Sequence, residues 1–225
     1  MSSMLRPAFL ALALGFMGAM LLSAPAAAQE AAAQTHEEAL KSPVGKFIQE
    51  LGDRAIAAIA DKNLSVNQRS DKFRKILQDS FDLVTIGRFV IGRSWNTATP
   101  AQQKEYMHLF QELVIKSYGD RLTLYTGEGF RVTGVRPESE HDSIVTSDIT
   151  HPDGSQPTTI DWRVRNRDGK LGVIDVVVEG VSLSVTQRQE YASVIQRSGG
   201  DIDGLLVQMR QQLAAPVSTA ADGPG

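Results

Sequence analysis

The chain has 225 residues, 42% of them hydrophobic, a net charge of −3 and no cysteine. That length suits one domain with a substantial hydrophobic core. The missing cysteines exclude a disulfide framework and a thiol nucleophile, and basic residues scattered over a mildly acidic chain lack the footprint of a nucleic-acid binder.

Residues 1–28 carry one charged side chain, Arg6, then an apolar run from Ala8 to Leu22 and small residues at Ala26 and Ala28. This is the order of a cleaved signal peptide, and the run falls short of the roughly 20 residues that a spanning helix needs. Cleavage after Ala28 would yield an exported, soluble product. Residues 29–41 are expected to be disordered, 42–213 to form one domain, and 214–225 to be a disordered tail.

Helical periodicity starts at Ser42-Pro43, with Phe47, Ile48, Leu51, Ala55, Ile56 and Ile59 on one stripe. After a link at 63–65, Phe73, Ile76, Leu77 and Phe81 mark a second helix, and Asp82 can cap a third, "LVTIGRFVIGRSW". Thr99, Pro100 and Gln102 then open the clearest helix, as cap, first position and capping-box partner. Its apolar face reads Tyr106, Leu109, Phe110, Leu113, Val114, Tyr118, Leu122 and Tyr125, and Gly127 or Gly129 stops it.

The period then changes to two. Strands are expected near 130–137, 142–150, 158–166 and 171–183, with turns at Asp153-Gly154 and Asp168-Gly169. Helices return at about 185–197 and 202–213, split by Ser198-Gly199-Gly200. This order implies an α+β fold, with helices gathered on one face of a curved, mainly antiparallel four-stranded sheet. The face carrying Ile160, Trp162 and Val164 would be the covered one, and a tapered helical layer over a curved sheet leaves room for an apolar cavity. One stretch is odd: "IDVVVEGVSL" at 174–183 interrupts an apolar strand with Glu179-Gly180 before the next helix. A bulge at Gly180 would let the strand bend and continue, placing Val181 with Val176 and Val178.

No nucleophile elbow, phosphate-binding glycine loop or dinucleotide motif is present. His141, Asp142, Asp148, His151 and Asp153 are the one metal-like group, but their spacing matches no ligand motif and "HPDG" reads as a turn. No cofactor or metal is expected. Glu179 is the acid to watch for catalysis; its plainer reading is exposure to solvent, or pairing with Arg163 or Arg88. Aromatic residues stand at element ends, at Phe89, Trp95, Tyr118, Tyr125, Phe130 and Tyr191, which ordinary core packing would also explain.

In order along the chain, "VIGRSW", "ATPAQ", the Tyr-Gly and Leu-x-x-Tyr helix end, "EGVSL" and the final "DGL" helix resemble the MlaC/toluene-tolerance family over roughly 43–213. A hopanoid-associated branch shares these motifs. Ser94 departs from the family, where an aromatic is common. The resemblance implies a periplasmic phospholipid (or hopanoid-like lipid) carrier, working between an inner-membrane ABC transporter complex and an outer-membrane lipoprotein complex. It implies an apolar cavity between the layers, with the head group outside. The expected lipid-contacting set is Phe89, Trp95, Tyr118, Leu122, Tyr125, Trp162, Val176, Val178, Val181, Leu183 and Tyr191. Two other readings stay open: a hydrolase or isomerase on a cone-shaped α+β fold using Glu179, and a ligand-free adaptor with a filled core and an exposed apolar patch.

Overall fold

In the computed structural model, which describes residues 35–61, 63–119 and 127–215, the expected caps start the expected helices. Ser42 Oγ accepts the Val44 amide at 3.3 Å, and α1 runs Pro43–Ala60. α2, Val66–Ser80, opens on a reciprocal box between Ser65 and Gln68. Asp82 takes the Thr85 amide at 2.9 Å to start α3, Leu83–Ile91. The sequence reads α3 as continuing through Trp95. Instead Gly92, at φ +61, ends it, and a single turn, α4 (Ser94–Thr97), follows. Thr99 and Gln102 exchange the two capping bonds at 2.9 and 3.3 Å ahead of α5, Pro100–Gly119.

The strands fall close to their expected places: β1 Gly129–Pro137, β2 Asp142–Thr150, β3 Thr158–Arg167 and β4 Lys170–Val178. A fifth, β5 Val181–Ser182, extends the antiparallel sheet to the order β1-β2-β3-β4-β5. The long strand expected over 171–183 therefore does not run straight into the following helix. Glu179 and Gly180 take φ +48 and +79, a two-residue hairpin of the I′ kind whose twist matches the flanking strands. Asp168-Gly169 makes the same turn between β3 and β4. The bulge in β4 lies earlier, at Ile174, between Val173 opposite Val164 and Asp175 opposite Arg163. α6 (Leu183–Arg197) and α7 (Ile202–Ala214) complete the fold.

Residues 35–41, expected to be disordered, are helical, and Ala39 is buried. His36 Nδ1 lies 2.7 Å from Val132 O, while Gln49 takes the Val132 amide at 3.0 Å and donates to Phe130 O at 3.4 Å. Side chains thus occupy the Phe130 and Val132 backbone groups on the outer margin of β1.

Apolar packing divides into two clusters. One is purely helical and joins α3, α5, α6 and α7 through Val90, Tyr106, Phe110, Tyr191, Leu205 and Met209. The other lies between α1, α2 and the sheet, through Ile48, Leu51, Ile76, Val132, Val145 and Val173. Each fully buried Leu or Ile contributes on the order of 1.5–3 kcal/mol. The start of α3 is tied to the sheet where Phe81 bridges to Val173 and the Asp82 amide donates to Val173 O at 2.9 Å.

Candidate functional site

Residues directly opposite one another on neighbouring strands share a face. By register, one row crosses all five strands: Val132, Ser147, Ile160, Val178 and Val181. This is the face that the helices cover. Along it, relative exposure climbs from 0% at Val132 and Ser147 through 8% at Ile160 to a half-buried Val178 and 45% at Val181. The adjacent row behaves alike: Val145 is fully buried, while Trp162 and Val176 are only half-buried. α1 packs along β1 and β2. Over β3, β4 and β5 the same apolar face stands partly open, on the side where α6 begins.

Trp162 is fixed there. Its indole Nε1 donates to Ser147 Oγ at 2.9 Å, and Phe130 meets the ring edge-on at 6.1 Å. Asp175 anchors the adjoining helix start. Only 6% exposed, it accepts Ser182 Oγ at 2.7 Å and the amides of Ser184 and Val176 at 3.2 and 2.9 Å. Ser182 also caps α6. The "VSL" of the motif is thus a hairpin arm, a cap and a first helical residue, held by a carboxylate seven positions upstream of that cap. Tolerating a buried acid requires this many donors.

The expected site residues separate into groups. Trp162, Val176, Val178 and Val181 share the partly open face, and Leu183 begins α6 beside them. Val181 joins Val178 through the hairpin pairing, not through a bulge at Gly180. Tyr191 is 7% exposed inside the helical cluster, edge-on to Tyr106, and burial pushes both phenols up from their ordinary pKa. Trp95 packs against the same cluster under the Arg88 guanidinium, and Phe89 is exposed beneath that of Arg188. The Tyr118 side chain, Leu122 and Tyr125 lie outside the described residues. Sequence reasoning left Ser147 and Asp175 unremarked and Phe130 off the contact set; the inward position of Ser147 in β2 was the available signal.

Glu179 is exposed and accepts the Thr159 amide at 2.7 Å. The arginines suggested for it go elsewhere: Arg163 to Glu138, and Arg88 to the Trp95 ring. The opposite face of the sheet is laced with charge, including Arg165 on Asp142 and Arg136 on Asp161. A polar groove of ≈ 330 Å³ at the end of the sheet is lined by Ser139, His141, Asp142, Arg165 and Arg167. The metal-like group is dispersed: Asp142 holds Arg165, Asp148 accepts Thr159 Oγ1, His151 meets Thr158, and Asp153 closes the turn onto Ser155. Among the described residues no cluster of three His, Asp or Glu can hold a metal, and no helix is long and apolar enough to cross a membrane.

The profile of the family described as "MlaC protein" matches residues 49–211. The chain is 22% identical over 178 residues to the intermembrane phospholipid transport system binding protein MlaC of Haemophilus influenzae, spanning 76% of this chain and 82% of that protein. To the toluene tolerance protein ttg2D of Pseudomonas putida it is 23% identical over 155 residues, or 68% and 72% of the two chains. In fold it is similar to the phospholipid-binding protein of Ralstonia solanacearum, solved in complex with a phospholipid. That likeness has a TM-score of 0.68 at 24% identity, over 75% of this chain and 96% of that one. With most of its length matched in this way, the chain belongs to the MlaC family.

Proposed function

We propose that the chain is a periplasmic lipid carrier that shelters phospholipid acyl chains between its helical layer and its sheet. The observation that carries this reading is the five-strand row whose inward-facing residues grow steadily more open from Val132 to Val181. An inward apolar wall left partly uncovered suits a guest that supplies the missing contacts. The energy favours shelter, because each exposed CH₂ costs about 0.8 kcal/mol, and a chain of about 16 carbons exceeds ~10 kcal/mol. Carriage, not catalysis, fits the site: its wall is apolar, and the singled-out acid, Glu179, is exposed and spent on the Thr159 amide. Export through an N-terminal leader and exchange with an inner-membrane ABC transporter complex and an outer-membrane lipoprotein complex complete the proposal. Membership of the MlaC family supports this part of the reading.

The test is native mass spectrometry of protein purified without detergent, followed by delipidation and reloading. A phospholipid mass is expected on the purified protein; a hopanoid mass would assign the other branch. Delipidated protein that takes up neither lipid in any assay would sink the reading.

A further inference from the structure

Six arginines of the described chain stand against carboxylates: Arg74 on Glu112, Arg136 on Asp161, Arg163 on Glu138, Arg165 on Asp142, Arg167 on Asp82 and Arg210 on Glu105. Arg54 and Arg69 instead bond Ser80 and the Leu64 carbonyl, and the α3–α6 face differs from both in lacking acids near its arginines. Among the described residues, Arg88, Arg93 and Arg188 enter no ion pair. Residues 83–97 contain no acid at all, and residues 181–197 contain only Glu190, whose carboxylate accepts from Gln187 at 3.0 Å. In a chain with 26 acids to 23 Lys and Arg, that is a local inversion of charge.

Two of the three guanidiniums are held against aromatic rings, and Arg93 is exposed one turn beyond Phe89. Arg88 lies 4.8 Å over the Trp95 ring. Arg188 lies 4.8 Å over Phe89, and its Nη1 donates to Phe89 O at 3.2 Å, at the C-terminal end of α3. Val84 and Phe89 on α3, Val185 on the first turn of α6 and Val181 on the hairpin are all exposed. Stacking on a ring fixes an arginine while leaving its donors outward, and desolvation strengthens the contact.

We propose that this face docks on a protein partner presenting an acidic patch with apolar residues at its centre. Arginine and aromatic side chains are the groups enriched at the middle of protein interfaces, and carboxylates would pair with the fixed guanidiniums in bidentate fashion. A bilayer fits less well. A chain of net charge −3 is repelled by an anionic membrane at long range, and three arginines fall below the clusters of about four to eight that mark lipid-headgroup binding. The proposal rests on the carrier reading and extends it. Val181 and Val185 join the face to the open margin at Val178, so a docked partner meets the carrier where a lipid would leave.

The experiment places a photo-crosslinking amino acid at Val84 or Val185 of the full-length protein in cells of its source, with Val207 on α7 as the exposed control. Irradiation is expected to give a discrete protein adduct from the first two positions and not from Val207. Mass spectrometry should place the captured contact in an Asp/Glu-rich segment. The double variant Arg88→Glu/Arg93→Glu should lower adduct yield about tenfold or more, as loss of paired interfacial charges does. Arg88→Gln/Arg93→Gln is the second variant, with thermal melts confirming that both fold. An adduct indifferent to these charges, an adduct with a second copy, or none would overturn the proposal. So would arginine-dependent sedimentation with phosphatidylglycerol vesicles, which would reassign the face to membrane. Lipid content of the double variant, by native mass spectrometry, should match the parent. If the parent itself holds no lipid, the carrier reading falls while the crosslinks still decide the docking face.

Discussion

The indole of Trp162 is tied to Ser147, which has no exposed surface, by a single hydrogen bond of 2.9 Å across the β2–β3 pair. This polar link lies in the middle of an otherwise apolar wall. Ser147→Ala would leave the indole N–H without its partner, at a cost of about 1–3 kcal/mol. Urea unfolding should show the midpoint fall with an unchanged slope; an unmoved midpoint would show that the bond contributes nothing.

The two valines either side of the hairpin should differ under the same substitution. Val176 is half-buried between Trp162 and the helix start, so Val176→Glu buries an unpaired carboxylate, which costs several kcal/mol. Lipid recovered from that variant should drop to background while circular dichroism keeps its shape. Val181→Glu lies at the open margin, where the carboxylate can reach water, and should only reduce retention. Equal loss in both would show that the space closes beyond Val181.

Asp175→Ala removes the acceptor shared by the Ser182 hydroxyl and the Ser184 amide. Hydrogen bonds to a charged group contribute about 1.5–3 kcal/mol each, so a loss of about 3 kcal/mol is expected overall. Calorimetry measures it, and hydrogen exchange should speed up in the first turn of α6 specifically. Uniform exchange across the helix would argue against a local anchor.

Acid should unfold the protein through its paired carboxylates. The Arg165 guanidinium, bonded to both oxygens of Asp142 at 2.7 Å, holds that carboxyl below the usual range, and Arg74 does the same for Glu112. Acids depressed in the fold stabilise fully above their unfolded pKa of about 4, and that stability is lost as pH falls through the folded value. Asp142→Asn should therefore lower the melting temperature at pH 7 and flatten its fall below pH ~4. Glu190 runs the other way, since burial pushes its carboxyl up and the charged form weighs against the fold as pH rises. Glu190→Gln should raise the melting temperature at pH 7 and leave it unchanged below about pH 3, where the carboxyl is protonated in both states. A shift of equal size at both pH values would assign the effect to packing.

Much of this architecture was legible because local chemistry and tertiary structure agree. Thr99, Asp82 and Ser42 cap where capping residues should, and Asp168-Gly169 turns where an I′ pair should. Glu179-Gly180 misled because glutamate rarely accepts a positive φ, and because the apolar run resumes at once with Val181. Only the pairing of Val178 with Val181 separates a hairpin from a bulge, and pairing is a tertiary fact. Tyr191 shows a second limit. Its helical position marks it as inward, but whether inward means the helical cluster or the sheet depends on how α3, α5 and α6 cross. The inward strand position of Ser147 is a signal without a partner until the register sets Trp162 in the neighbouring pair.

The side-chain seal along β1 has a further consequence. His36 and Gln49 take up the outward groups of Phe130 and Val132, while the far margin of β4 is occupied by β5 at one end and by Phe81-Asp82 at the other. An emptied carrier bares greasy surface, the circumstance in which unguarded strands recruit copies of themselves and grow into fibrils. Here part of each margin is plugged from within the chain, so unloading the cargo leaves a shorter template for polymerisation.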